Sequence, residues 1–278
     1  RDDKILTDWN GLAIAALAKA GRALDEARYS EAARRAADFV LGRLRDDRGR
    51  LLHVWNAGEA KLAGNLDDHA FLVWGLIEVY QATFEARYLR AALEICRLMI
   101  AHFGDPAGAG YYFAADDGES LLVRQKQIYD GAIPSGNSVA LSNLLRLARL
   151  TGDQGLEREA ARQAAWLGRR AGRAPLAHVH ALSGLDLAAG PSQEVVIAGA
   201  ERGDDTRAML RALSSRFLPR AVAILVPTDQ PEPEITRLAP FVESYGSLQG
   251  RAAAYVCRDF TCALPTAEPE RMLEQLER

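Results

Sequence analysis

The sequence predicts a mainly α fold, stacked helical hairpins forming an α/α toroid or solenoid with a small α/β appendage, and three observations predict it. The first is an internal repeat. Displaced by 59 positions, residues 12–41 lie on residues 71–100 without a gap, matching Leu17 with Leu76, Glu26-Ala27-Arg28-Tyr29 with Glu85-Ala86-Arg87-Tyr88, and Ala32-Ala33 with Ala91-Ala92. The second is that the first helix of each copy is apolar and the second amphipathic, so first helices lie inside and second helices outside. The third is a change of pattern near residue 190, from helical periodicity to short buried-strand runs.

The first hairpin spans residues 12–41; Ala32, Ala36, Phe39 and Val40 of its return helix alternate with Arg34, Arg35 and Asp38. The second opens on Asn65-Leu66-Asp67-Asp68-His69, and from residue 70 to 80 only Glu78 interrupts an apolar run. A helix with no polar stripe is surrounded by protein, and this one is shorter than the roughly 20 residues of a membrane span. Its start should favour ionised Asp67 and Asp68 through free N–H groups and the helix dipole. Its return helix alternates Ala91, Ile95, Leu98 and Met99 with Arg90, Glu94 and Arg97.

A third copy follows 68 positions later, with Leu141, Leu144, Leu145, Leu147 and Leu150 on helical spacing and a return helix over residues 157–170; residues 175–189 read as a seventh helix. Long excursions, residues 46–67 and 104–135, precede inner helices. Rich in Gly, Asp and aromatics (Trp55, Tyr111, Tyr112, Phe113, Tyr129), they read as β-hairpins or loops over the end where inner helices start. Beyond residue 190, the runs 194–198, 221–226 and 252–257 read as strands, with a helix near residues 205–217 and another closing the chain behind a Thr266 cap, Glu268 and Glu270 in its first turn. The division expected is 1–190 and 191–278. The loop Gly199-Ala200-Glu201-Arg202-Gly203 lacks dinucleotide spacing.

With 278 residues and a net charge of −3, the chain can bury a sizeable core and carries no basic footprint for nucleic acid or anionic membrane. Small molecules are the expected partners. Cys96, Cys257 and Cys262 are too few for a disulfide scaffold and none has zinc spacing, so no metal and no cofactor is expected, and a reducing, cytoplasmic setting fits. Cys257 and Cys262, five apart on one strand, would point to opposite faces unless a turn at Arg258-Asp259 intervened; structural thiols are the expectation. Starting at Arg1 without a methionine, the chain reads as part of something longer.

Three stretches carry a resemblance: Asp2-Asp3-Lys4-Ile5-Leu6-Thr7-Asp8-Trp9-Asn10-Gly11-Leu12, Leu66-Asp67-Asp68-His69-Ala70-Phe71, and Val123-Arg124-Gln125-Lys126 through Tyr129-Asp130-Gly131-Ala132-Ile133-Pro134-Ser135-Gly136-Asn137-Ser138. With the tail Ala254-Tyr255-Val256-Cys257 and Phe260-Thr261-Cys262, they resemble the spermatogenesis-associated protein 20 / YyaL family over essentially the whole chain. The departures are Asp8, where the family usually has a small hydroxyl residue, and His69, where it usually has tyrosine. The resemblance implies the C-terminal part of a protein with a thioredoxin-like domain ahead of a six-hairpin, glycosidase-like toroid. Twelve helices make that ring; about seven here imply an open arc.

The same resemblance implies a sugar-type ligand in the funnel where inner helices start. The rim residues are Asp8, Trp9 and Asn10; Asp67, Asp68 and His69; and Asp130, Ser135, Asn137 and Ser138. Asp67, Asp68 and Asp130 are the candidate catalytic carboxylates, since glycoside hydrolysis needs two carboxyl groups roughly 5 to 9.5 Å apart. Trp9, Asn10, His69, Arg124, Lys126, Tyr129, Ser135 and Asn137 are the candidate substrate-binding residues, Arg124 and Lys126 for an acidic or phosphate group. Each has a plainer reading: Asp67 or Asp68 as an N-cap, Asn137 as a cap, Trp9 as a plug of the barrel end, Arg124 and Lys126 as a solvated face. An epimerase would need two opposed bases; only His69, with His53 in reach, is placed for that, His178 and His180 lying on the seventh helix. The competing reading is a non-catalytic scaffold or interaction module attached to a redox domain.

Overall fold

A computed structural model describes residues 2–259 and 261–277; Arg1, Arg278 and Phe260 of the tail motif lie outside the described residues. Three helical hairpins and a seventh helix follow one another: α1 (Thr7–Leu24) and α2 (Ala27–Arg43), α3 (Leu66–Thr83) and α4 (Ala86–Phe103), α5 (Gly136–Thr151) and α6 (Gln154–Ala171), then α7 (Val179–Ala189). The repeat holds to the residue, since α1 displaced by 59 positions coincides with α3. Each inner helix also ends alike, at Asp25, Phe84 and Gly152, whose left-handed backbone (φ 52°, 56° and 71°) returns the cap N–H to a carbonyl of the last turn and reverses the chain.

Helices α1, α3, α5 and α7 line the inside and α2, α4 and α6 the outside, an arc of an α/α toroid. The contact of α1 with α3 is the closest. A Cβ on Gly11 would stand 2.5 Å from the Phe71 backbone, and one on Gly75 would stand 2.9 Å from the Gly11 carbonyl oxygen. Along residues 68–81 of α3 every residue is buried except Trp74. Glu78 is tolerated there because Lys19, Arg22 and Arg146 surround it.

The first excursion forms a hairpin, β2 (Leu52–Asn56) and β3 (Glu59–Ala63), with β1 (Ile5–Leu6) added antiparallel to β2. The second holds no strand among the described residues. In the appendage, β4 (Gln193–Gly199) and β5 (Ala221–Pro227) are parallel with α8 (Asp204–Ser214) between them; α9 (Glu234–Leu238), β6 (Ala253–Arg258), β7 (Thr261–Cys262) and α10 (Pro269–Glu277) complete it in the order β5-β4-β6-β7. Strand alternation gives the sheet two apolar faces. Val196, Ala198, Val222, Ile224 and Val226 join the core of the arc, whereas Val195, Ile197, Leu225 and Val256 pack with Met209, Met272 and Leu276. Gln81 of α3 stitches the two parts, donating to the Ala223 carbonyl at 2.6 Å and accepting the Ala223 N–H at 3.0 Å.

Two expectations need correction. Cys257 and Cys262 are not separate thiols but a disulfide. Asp259, at φ 45°, turns the chain so that β7 folds back on β6 and the two cysteines face each other in register. Thr266 does not itself begin the last helix, which starts at Pro269; its Oγ1 accepts the Glu268 N–H at 3.1 Å and shapes the lead-in. Among the described residues no helix is long and apolar enough to cross a membrane.

Candidate functional site

The starts of α1 and α3 and the strand β2 bring Asp8, His53, Asp67 and Asp68 together. The cap of α3 is Asn65, whose Oδ1 accepts the N–H groups of Asp67 (2.9 Å) and Asp68 (3.2 Å), while Asp68 Oδ2 accepts the Asn65 N–H at 2.8 Å. This is a capping box, legible in the Asn65-x-x-Asp68 spacing but assigned above to the aspartates alone. Asp68 is fully buried; its Oδ1 accepts the Asp8 N–H at 3.0 Å, and His53 Nδ1 lies 3.0 Å from both oxygens. Burial pushes the Asp68 carboxyl up and the His53 partner opposes it; the same bond raises His53.

Asp67 accepts the Gly136 N–H at 2.9 Å, and a side chain at Gly136 would collide with it, its Cβ 2.4 Å from Oδ1. Burial first, and the charges of Asp68 and Asp8 after it, push Asp67 up to about 7 against that hydrogen bond. The expectation that the helix terminus keeps both carboxyls readily ionised is thus overturned: desolvation outweighs the N–H groups and the dipole. Asp8 is buried, spends Oδ1 on the Trp9 N–H at 2.7 Å, and carries no hydrogen bond on Oδ2 among the described residues. The donor atoms of Asp8, His53 and Asp68 converge within 4.8 Å of one another, a set of two carboxylates and an imidazole compatible with a small cation.

Asp130 stands apart from this set. Its Oδ1 accepts the Ser135 N–H at 2.8 Å; its Oδ2 accepts the N–H groups of His180 (2.9 Å) and Ala181 (3.0 Å) and the Ser138 hydroxyl (3.2 Å). With four donors on one carboxylate, Asp130 ties the start of α5 to the start of α7. Consecutive N–H groups, of Ser135 and Gly136, are therefore held by Asp130 and Asp67.

The other predicted residues divide between rim and scaffold. Trp9 is 61% exposed and Tyr129 69%, so Trp9 is not a plug; both offer open aromatic faces. Asn10 donates to the Leu6 carbonyl at 2.8 Å. Ser135 caps α5. Asn137 is fully buried and bonds Tyr111 through both amide atoms and the Gln127 carbonyl besides, pinning the loop 104–135. Arg124 is spent on the carbonyls of Ala114 and His102, and Lys126 on Asp105 and the Ala109 carbonyl, so neither is a solvated face. His69 turns away from the rim: wholly buried against Phe103, bonded to the Asn65 carbonyl, it is pulled down to about 4 by burial and stays neutral. The pair of opposed histidines an epimerase needs is not formed, because His53 faces Asp68 while His69 faces the core. Trp55 packs on Phe39 of α2.

Deeper on the concave wall lies a cluster that sequence reasoning missed. Lys19, Glu78 and Arg146 occupy equivalent positions of the three inner helices, a signal present in the repeat itself. A groove of about 780 Å³ opens at the far ends of α1 and α3, against α8, lined by Arg22, Arg34, Gln81, Phe84, Glu201 and Arg211 among others.

No protein-family model matches the chain. It is 32% identical over 278 residues to spermatogenesis-associated protein 20 of Homo sapiens and of Mus musculus, a match covering 96% of this chain and 35% of each relative. It is 28% identical over 290 residues to an uncharacterised protein of Caenorhabditis elegans, covering 99% of this chain and 37% of that one. The chain thus spans about a third of the length of the curated relatives it matches. Among solved structures, a family 76 glycoside hydrolase from a bovine Bacteroides thetaiotaomicron strain aligns with TM-score 0.55 at 17% identity, over 78% of this chain and 49% of that one. Cellobiose 2-epimerase from Bacillus thermoamylovorans aligns with TM-score 0.51 at 18% identity, over 59% and 44%. These likenesses place the fold among six-hairpin glycosidase-like toroids.

Proposed function

For a chain homologous to spermatogenesis-associated protein 20, we propose a carbohydrate-active role in which the rim of Asp8, His53, Asp67 and Asp68, with Trp9 and Tyr129 open beside it, binds a sugar-like ligand and acts on it. The observation that carries this reading is the convergence of Asp8, Asp67 and Asp68 with His53 at the starts of α1 and α3. Asp67, raised to about 7 by burial, is divided between its protonated and ionised forms at neutral pH, while Asp68 is held by His53 and two backbone N–H groups. A carboxyl that titrates near the working pH suits the role of general acid. Asp67 is the proton donor in this reading, Asp8 the second carboxylate, and Asp68 the positioning residue that fixes Asp8 and His53. Hydrolysis uses such a pair, and the neighbours' titles name a glycoside hydrolase and a cellobiose epimerase for those proteins.

Calorimetric titration of a panel of neutral and acidic glycans tests it. Wild type should bind at least one, with affinity about tenfold weaker in Asp67→Asn or Trp9→Ala; a panel without binding, or binding indifferent to both substitutions, sinks the reading. One observation favours the alternative of a non-catalytic module within a longer protein: Asp68 and Asp130 spend their oxygens on backbone N–H groups. That alternative expects the second outcome.

A further inference from the structure

We infer that the concave wall of the arc holds a second, deeper site for the anionic group, carboxylate or phosphate, of a sugar, built by Lys19, Arg22 and Arg146 around Glu78 beside Trp74. The inference rests on the proposed carbohydrate role and names the substrate class. Three cations face one carboxylate: Arg146 Nη1 lies 2.6 Å and Lys19 Nζ 3.5 Å from Glu78 Oε1, and Arg22 Nη2 lies 3.8 Å from Oε2. Glu78 is 1% exposed and ionised, held down to about 2 by these neighbours, so two positive charges are left over in a chain whose net charge is −3.

The donors are also underused. Among the described residues the Arg22 guanidinium makes no hydrogen bond, although burial makes its charge costly and lowers its proton affinity. Lys19, its side chain half exposed, makes among the described residues one ion-pair contact, 3.5 Å from Glu78, for three N–H donors. Partly exposed cations in excess of their partners are open to an added anion, and a planar fork beside an ammonium suits carboxylate or phosphate oxygens.

The wall also supplies an apolar face. Trp74 alone in residues 68–81 keeps solvent contact, with Lys19 Nζ 5.3 Å and the His180 ring 5.2 Å from its ring. Aromatic surface next to charge fits a sugar ring carrying an acid. Glu78 lies ten residues beyond Asp68 on α3, about 15 Å along the helix, so this site is separate from the rim.

The test titrates the chain with glucuronic acid, glucose 6-phosphate and glucose at low and high salt. At least one of the two acids should bind about tenfold tighter than glucose, and lose that margin in Lys19→Gln, in Arg22→Gln and at high salt. Whichever acid holds the margin identifies carboxylate or phosphate as the source. Equal affinity for glucose and both acids, or a margin unmoved by both substitutions, overturns this inference alone. Absence of binding by all three overturns this inference, and the carbohydrate reading falls with it only when the wider glycan panel also fails to bind.

Discussion

The Asp68 carboxylate accepts the backbone N–H of Asp8 at 3.0 Å, tying the first turns of α1 and α3 together across 60 residues of chain. One buried carboxylate thereby serves its own helix through the capping box, the neighbouring helix through Asp8, and β2 through His53. Side chains that converge on such a hub are fixed before any ligand arrives, as a site for proton transfer requires.

Asp67 sets a pH dependence. Its folded value, about 7, exceeds its ordinary 3.8, so the folded state binds the extra proton and stability falls as pH rises between the two. Asn keeps an oxygen for the Gly136 N–H. Asp67→Asn should therefore match wild type near pH 4 and exceed it by a few kcal/mol above pH 7, at about 1.4 kcal/mol per pKa unit, in urea denaturation across pH. Equal slopes with pH refute the shift.

His53→Ala removes the charged partner of buried Asp68. His53 is raised by that partner, so the stability it gives is full below its ordinary 6.5 and is lost as pH climbs through the folded value. The variant should lose about 1–2 kcal/mol at pH 6 and less at pH 9. A loss that grows with pH would contradict the pairing.

Glu78→Gln leaves Lys19, Arg22 and Arg146 facing one another. Because Glu78 is depressed from 4.5 to about 2, its stabilisation is present above 4.5 and disappears as pH falls toward 2. The expected loss is about 3 kcal/mol at pH 7, shrinking with acidity. Thermal unfolding at pH 7 and pH 3 reads both.

Glycines separate packing from propensity. Gly11→Ala forces its Cβ to within 2.5 Å of the Phe71 backbone and should cost about 3 kcal/mol or more by parting α1 from α3. Gly42→Ala meets nothing within 4 Å and should stabilise α2 by about 0.5–1 kcal/mol. Chemical denaturation of the two variants side by side checks the contrast.

The hairpins were legible because helical periodicity repeats in register, and three strands of the appendage because each is a continuous apolar run. The two-residue β1 and β7 and the five-residue α9 were not, being too short to carry a period. Within the rim, sequence placed Asp68 and His69 side by side, but about 100° of helix rotation per residue sends one to His53 and the other to Phe103. Asp130 looked like a reactive group because its four donors come from residues 135–181, and no local pattern announces them. The Lys19, Glu78 and Arg146 level is written in the repeat itself, as one charged position at the same register of each inner helix.

The amide of Gln81 has a consequence beyond holding two parts together. Ala223 lies on β5, an outermost strand, and both of its outward backbone groups are taken by that one side chain. At this point the sheet presents no vacant ladder on which a foreign strand could nucleate, and its opposite margin, β7, is only two residues long. A glutamine on a helix here does the work usually given to lysine, proline or a bulge: it discourages edge-to-edge aggregation.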